Sequence, residues 1–351
     1  MNTMKRLITL LLLLACSASF SYAGLGSGGG SSPGRTAGRS AYTLPLLDSG
    51  QTKCYNNSEP IPCPSPGEPF YGQDASYSRN APSYTDNGDR TVTDNVTGLM
   101  WQQEADNDIY NWYEATGSAN IELNPGSVTD ACGSLSLAGY SDWRLPTTME
   151  LMSIVDYGKS TPSIDTSYFH NVNKKWYWTS STHASNSSMA YDIIFFRHGY
   201  VHYYDKSSES YVRCVRGGNF ANQDTMAARF TDNGDTTVTD NYIGLIWQQG
   251  ESSSMTWEPA LTHCNGLNLA GYNDWRLPNV KELRSLLDSG KYNPALDTTY
   301  FPHVYSLLSY WTSTSDVHRP KRGWTANFGM GTVQYKEKSR TYYVRCVRGG
   351  Q

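Results

Sequence analysis

Charge is scarce in this sequence, and long apolar runs are scarcer. Lys, Arg, Asp and Glu make up 17% of the 351 residues, and the formal net charge is −4. A chain this poor in cations lacks the electrostatic footprint of a nucleic-acid binder, so no such partner is expected. The single apolar run, residues 7–15, follows a basic start and is far shorter than the roughly 20 residues of a membrane-spanning helix. It predicts a signal peptide over 1–23, with Ser21-Tyr22-Ala23 at the cleavage site. The protein is therefore expected to be exported, to the cell surface, the outer membrane, the periplasm or the medium. Leu13-Leu14-Ala15-Cys16 offers a competing lipobox, in which Cys16 carries a lipid anchor, the sole membrane tie expected.

Catalytic signatures are missing as well. Neither G-x-S-x-G nor H-E-x-x-H occurs, the seven His are scattered, and no zinc-ligand spacing is present. No enzyme activity and no cofactor are expected. Cysteines number only seven, and with Cys16 removed or lipidated six remain, which in general allow 15 pairings.

Aromatic residues and a repeat are what the chain has in abundance. There are 26 Tyr and 10 Trp, a polar-aromatic composition common in exported β-rich domains. GYSDWRLP at 139–146 returns as GYNDWRLP at 271–278, and YVRCVRGG at 211–218 returns at 343–350. Upstream, YTDNGDRTVTDNVTGLMWQQ (84–103) answers FTDNGDTTVTDNYIGLIWQQ (230–249). The offset is 146 residues before the tryptophans and 132 after them, so the first copy holds a 14-residue insertion between Trp101 and Cys132. Such a period duplicates whole domains, since solenoid units run about 20–50 residues. The duplication also orders the cysteines. Cys132 and Cys214 lie 82 positions apart, as do Cys264 and Cys346, which makes them equivalent pairs and leaves Cys54 with Cys63.

The expected layout is a Gly/Ser-rich linker over 24–41, an N-terminal extension over 42–83 packed on the first repeat, repeat one over 84–218, a connector over 219–228, and repeat two over 229–351. Each repeat is long enough for its own core. Asn87-Gly88 and Asn233-Gly234 mark turns of a β-meander. Two helices follow. Trp257, Ala260, Leu261, Cys264 and Leu267 recur at helical spacing, and Thr147/Glu150 and Asn279/Glu282 are capping-box pairs. Aromatic strands from YWTSS (177–181) and YWTST (310–314) close each copy. The class is α+β, with a disulfide from the first helix to the last strand.

That arrangement, with RLP ahead of the second helix, resembles the C-type-lectin-like fold. The words DNGDxTVTDNxxGLxW, DWRLP, YWTS and YVRCVRGG are closer still to the Lcl C-terminal domain family, the C-terminal domain of a collagen-like bacterial adhesin. Both repeats match over nearly their full length. The resemblance implies an exported surface or envelope domain, with glycan adhesion for the adhesin member. This chain differs in having two copies and no collagen repeat.

Several residues invite chemistry. The Asp86-Asn87-Gly88-Asp89 loop resembles an EF-hand fragment, but Arg90 stands where the turn glycine is required and Val96 where the bidentate Glu is required. A hairpin is expected, with an irregular calcium site as the alternative. Asp142-Trp143-Arg144 with Glu150, and Asp274-Trp275-Arg276 with Glu282, read as ion-pair and tryptophan frameworks holding the loop between the helices. Formylglycine-generating enzymes share an RLP segment similar to residues 144–151, yet need a reactive cysteine pair that the bridges here consume.

Repeat one carries 9 Lys and Arg against 16 Asp and Glu, net −7, whereas repeat two carries 13 against 11, net +2. The excess in repeat two is late: His318, Arg319, Lys321, Arg322, Lys336, Lys338 and Arg340, with Trp324 and Tyr335 among them. Cations beside exposed rings suit acidic or sulfated glycans. Repeat one instead has Trp176, Tyr177, Arg197, His198, Tyr200, His202, Tyr203 and Tyr204, suited to neutral sugar or protein. The leading expectation is adhesion to glycan or matrix, the alternative is an envelope or assembly protein that binds another protein, and the third reading is a formylglycine-generating-enzyme-like or degenerate enzyme.

Overall fold

The computed structural model describes residues 46, 48–77, 80–217, 229–304 and 309–349. The signal peptide, Cys16, the linker and the connector over 219–228 lie outside the described residues.

Each repeat opens as the meander its turn residues dictate. Tyr84–Asp86, Thr91–Asp94 and Met100–Gln102 pair in antiparallel succession, as do Phe230–Asp232, Thr237–Asp240 and Leu245–Gln248. Gly88 and Gly234 both turn at φ +73°, in the left-handed region that glycine enters without steric cost. Val92, Trp101, Val238 and Trp247 point inward and are fully buried. A two-residue strand, Val215–Arg216 or Val347–Arg348, completes each four-stranded sheet.

Four short helices follow in chain order: α1 (Trp112–Thr116), α2 (Thr148–Ser153), α3 (Trp257–Asn265) and α4 (Val280–Ser285). The capping boxes at Thr147/Glu150 and Asn279/Glu282 form as expected. All three disulfides form, and the two long ones have the same Cα separation of 5.5 Å. The helix end of the expected helix-to-last-strand bridge holds for Cys264, on the buried face of α3, and fails for Cys132, and the partners Cys346 and Cys214 each lie just before the last strand rather than in it. In repeat one the helix ends at Thr116, against Gly117 in the left-handed conformation, and Cys132 lies in a turn beyond the insertion. The cause is local. Asn124 Nδ2 donates to the carbonyls of Tyr113, Ser118 and Thr129, which draws the inserted chain into a loop where the second copy continues its helix.

The larger correction concerns the cores. Eight strands form one sheet that runs through both repeats: β1 (Tyr177–Thr182), β2 (Met189–Ile194), β3 (Tyr200–Asp205), β4 (Ser252–Met255), β5 (Ser309–Ser315), β6 (Arg322–Asn327), β7 (Thr332–Glu337) and β8 (Tyr342–Val344). Their spatial order is β4-β8-β5-β6-β7-β3-β2-β1. The seam is the antiparallel contact of β3 with β7 at Val201↔Val333, two positions separated by the repeat offset itself. Equivalent residues that face one another define a pseudo-twofold relation between the copies. Either strand alone would present an open edge, with Val201 or Val333 bare; paired, both valines are buried. Leu151, Tyr191 and Val201 of repeat one share a single apolar cluster with Leu283, Trp324 and Val333 of repeat two. The expectation of separate cores therefore gives way to one shared core, with a satellite cluster beside each long disulfide.

The N-terminal extension was expected on the first repeat, and its described part lies chiefly on the second. Gln51 exchanges two hydrogen bonds with the backbone of Ser315, Thr314 donates to Asp74, and Tyr77 donates to Asn265 at 2.8 Å. Repeat one is reached through Tyr157 N, which donates to Ser49 O. The buried Lys281 of α4 joins all three parts, donating at 2.8 Å to Asp48 O and at 2.8 Å to Ser153 O. The segment is received by the Thr314 and Asn265 side chains and the Ser315 backbone, with Phe70 packed on the apolar cluster around Trp257, and polar and backbone groups of this kind leave no signature in the sequence.

This asymmetric cover separates two otherwise identical ion pairs. Arg276 and Glu282 are joined by two bonds of 2.7 Å with side chains 3% and 2% exposed, and the Tyr77 ring lies beside the guanidinium. Arg144 and Glu150 make the same bonds, but the Arg144 side chain is 33% exposed. Removing one partner of a fully buried pair costs about 3–5 kcal/mol, and the cost falls where water reaches one partner, as it does at Arg144 although Glu150 is 0% exposed. Arg276→Ala is therefore expected to lower the stability measured by urea denaturation more than Arg144→Ala; equal losses would contradict the described burial. A second expectation concerns pH. Burial, reinforced by the Asp48 carboxylate, pushes the Asp74 carboxyl up to about 7. The folded state then holds a proton that the unfolded chain releases near pH 4, so this contribution is present at low pH and is lost as pH rises through about 7. Asp74→Asn should lose less thermal stability between pH 5 and pH 8 than the parent, and a parallel loss in both proteins would exclude the effect.

Candidate functional site

The late basic cluster divides once it is placed on β6, β7 and the turn before β6. Trp324 is 1% exposed and packs edge-on against Tyr157 at 4.9 Å, so it belongs to the core and leaves the ligand surface. The period of two along β6 explains this, because Trp324 takes the inward position of the strand. Lys338 also leaves it. Its Nζ lies 3.6 Å from the Trp257 ring and donates to Asn56 O, and burial pulls the ammonium down to about 7. Arg322 is half-buried, bonded through Nε to Glu337 at 2.7 Å and stacked over Tyr335. The Glu337 hydrogen bond holds the Arg322 pKa above its ordinary value. His318, Arg319, Lys321 and Arg340 are exposed, and Lys336 is partly so.

From the aromatic patch of repeat one, Tyr177 is likewise buried, against Phe195, and the Arg197 side chain lies outside the described residues. Trp176, His198, Tyr200 and His202 remain at or near the surface. The two patches, read from the sequence as separate sites on separate repeats, meet. A cleft of about 660 Å³ runs across the seam, lined by Trp176, His198, Tyr200 and His202 on one side and by His318, Arg319, Gln334 and Tyr335 on the other. That volume lies within the roughly 300–1,000 Å³ of small-molecule sites.

Contacts across the seam fix its shape. The Tyr200 and Tyr335 rings are 4.8 Å apart, and the His198 and His318 rings 5.3 Å apart. Arg319 donates to Tyr335 Oη at 3.3 Å, which directs the guanidinium toward the cleft. Beneath His198 lies the buried Asp316, 4.0 Å from its Nδ1; burial raises the carboxyl above the ordinary carboxylate range. Burial, with help from the Tyr335 hydroxyl, raises the Tyr200 phenol too, so it stays a neutral donor. No Asp or Glu is among the described residues that line the cleft. Chemically it offers rings, imidazoles, a guanidinium and an amide, a set that binds and orients but contains no paired nucleophile and base. Gln334 and Thr332 were not singled out in the sequence; their signal exists only once β7 is known to lie beside β3.

The remaining candidates are local. Asp142 pairs with Arg216 at 2.7 Å and Asp274 with Arg348 at 2.7 Å, so these aspartates hold the last strand, and Glu150 and Glu282 take the neighbouring arginines. Trp143 and Trp275 are buried beside the long disulfides. In the hairpin loops Asp86 accepts from Gly88 N and Asp89 from Thr91 N and Oγ1, and Asp232 and Asp235 repeat these turn bonds. Cys54, Cys63, Cys132, Cys214, Cys264 and Cys346 are all oxidised. Sequence reasoning missed Arg213 and Arg345, each fully buried and donating to carbonyls at the end of the meander, Gln102 and Gln103 in one repeat and Gln248 in the other. Their identical YVRC context was the available signal.

Comparison with curated proteins finds no match. The model of the Lcl C-terminal domain matches residues 90–216 and again residues 236–348, which together exceed half of the chain. With both repeats matched in tandem and folded alike, the chain belongs to the Lcl C-terminal domain family.

Proposed function

We propose that this is an exported, non-catalytic binding protein acting in adhesion, with acidic or sulfated glycans or matrix as the ligand and no cofactor or metal required. The observation that carries the reading is the seam cleft, where the exposed Arg319 and His318 of repeat two stand beside the aromatic residues of repeat one. Rings accept the apolar faces of sugars, and guanidinium or ammonium groups pair with acid substituents. Lys321 and Arg340 extend this positive character over the surface of repeat two. In support of a C-type-lectin-like fold for each repeat are the RLP loop before α2 and α4 and the disulfide reaching the residue just before the last strand.

A second reading, contact with an envelope protein, is favoured by one feature. Ile121 and Val128 of the insertion are 90% and 84% exposed, an apolar tip more suited to protein than to sugar.

Adhesion of this kind predicts retention on immobilised heparin that weakens as salt rises, because exposed charges are screened over about 8–10 Å at physiological ionic strength. The double variant Lys321→Ala and Arg340→Ala should elute at lower salt than the parent, with severalfold weaker binding by surface plasmon resonance. Salt-independent retention, or none at all, would sink the glycan reading.

A further inference from the structure

The seam cleft is more particular than a charged surface. The pseudo-twofold axis passes through the Val201↔Val333 contact, so each lining residue has an equivalent in the other copy. Those equivalents differ in a consistent way. Trp176 corresponds to Ser309, Tyr200 to Thr332 and His202 to Gln334, so these three rings come from repeat one, and Tyr335 adds a ring from repeat two. His318 corresponds to Ser185 and Arg319 to Asn186, so the exposed guanidinium and an exposed imidazole beside it come from repeat two. A symmetric dimer of either repeat would place the same residue on both sides of its axis and could not build this combination.

We propose that the seam cleft is a pocket for a short acid-bearing oligosaccharide, whose sugar faces lie on Trp176, Tyr200 and His202 and whose acid group is held by Arg319 and His318. This rests on the glycan reading above and names the site, the ligand size and the division of labour between repeats. Three observations converge on it. The Trp176 ring lies 6.0 Å from that of His202, giving a ring surface along one wall. Arg319 is anchored by Tyr335 Oη and Tyr335 by Tyr200, so the cation is positioned before a ligand arrives. The described lining holds no carboxylate to repel an acid. A carboxylate and a sulfate ester can each offer two oxygen acceptors to a guanidinium, and the probes below separate them.

The test uses the intact protein and three tetrasaccharides: neutral chitotetraose, hyaluronan tetrasaccharide bearing carboxylates only, and chondroitin sulfate tetrasaccharide bearing both groups. Binding is followed by saturation-transfer NMR and calorimetric titration. At least one acidic probe is expected to bind at least tenfold more tightly than chitotetraose. Equal binding of the two acidic probes would identify the carboxylate as sufficient, and tighter binding of the sulfated one the sulfate. Trp176→Ala and Arg319→Ala should each weaken the acidic probe fivefold or more, with Arg319→Lys recovering part of the loss and circular dichroism unchanged. Binding indifferent to charge, or untouched by both substitutions, overturns the proposal. Retention of long heparin with no tetrasaccharide binding overturns the cleft alone and leaves surface adhesion standing, whereas failure of both removes the glycan reading as well.

Discussion

The pairing of β3 with β7 at Val201↔Val333 is the contact on which the rest of the structure depends. It joins two half-sheets into one of eight strands, buries both valines, and lets Leu151, Tyr191, Leu283 and Trp324 share one cluster. It hides two strand edges that would otherwise invite pairing with other chains. It also creates the cleft, since neither repeat contains both walls. The duplication is thus more than two beads on a string: the copies complete each other.

Symmetry and its breaking account for what is structural and what is specialised. Where the copies agree, the residues hold the fold: the tryptophans of the meander, Arg213 and Arg345 over the carbonyls, Arg144 and Arg276 with their glutamates, and the two disulfides of equal span. Where they differ, chemistry gathers. The N-terminal extension covers the second repeat and leaves Arg144 more open than Arg276, and the insertion breaks the helix of the first. The cleft takes Trp176, Tyr200 and His202 from one copy and Arg319, His318 and Tyr335 from the other.

Much of this was legible in the residues. The Asn-Gly turns, the capping boxes, the class α+β and the disulfide pairing follow from local chemistry and from the repeat itself, and the structure reproduces them. Trp324 and Lys338 were misplaced because a basic aromatic run was read as surface, whereas the alternation of β6 turns the tryptophan inward and the extension seals the lysine. The extension's docking face was illegible because much of it is polar side chains and backbone groups. The seam was illegible for a deeper reason. Strand edges pair through backbone groups that every residue carries, so no sequence pattern announces which edge meets which. His318 and Arg319 on one side and Trp176 and His202 on the other were read from the sequence as two lists, and only the topology places them around one cleft.

The claim that both repeats share a single core is tested most directly by differential scanning calorimetry of the oxidised protein. One cooperative transition is predicted, with the van't Hoff enthalpy equal to the calorimetric enthalpy for the whole chain. Two separable transitions, each accounting for about half of the enthalpy, would show that the repeats fold independently and would contradict the account.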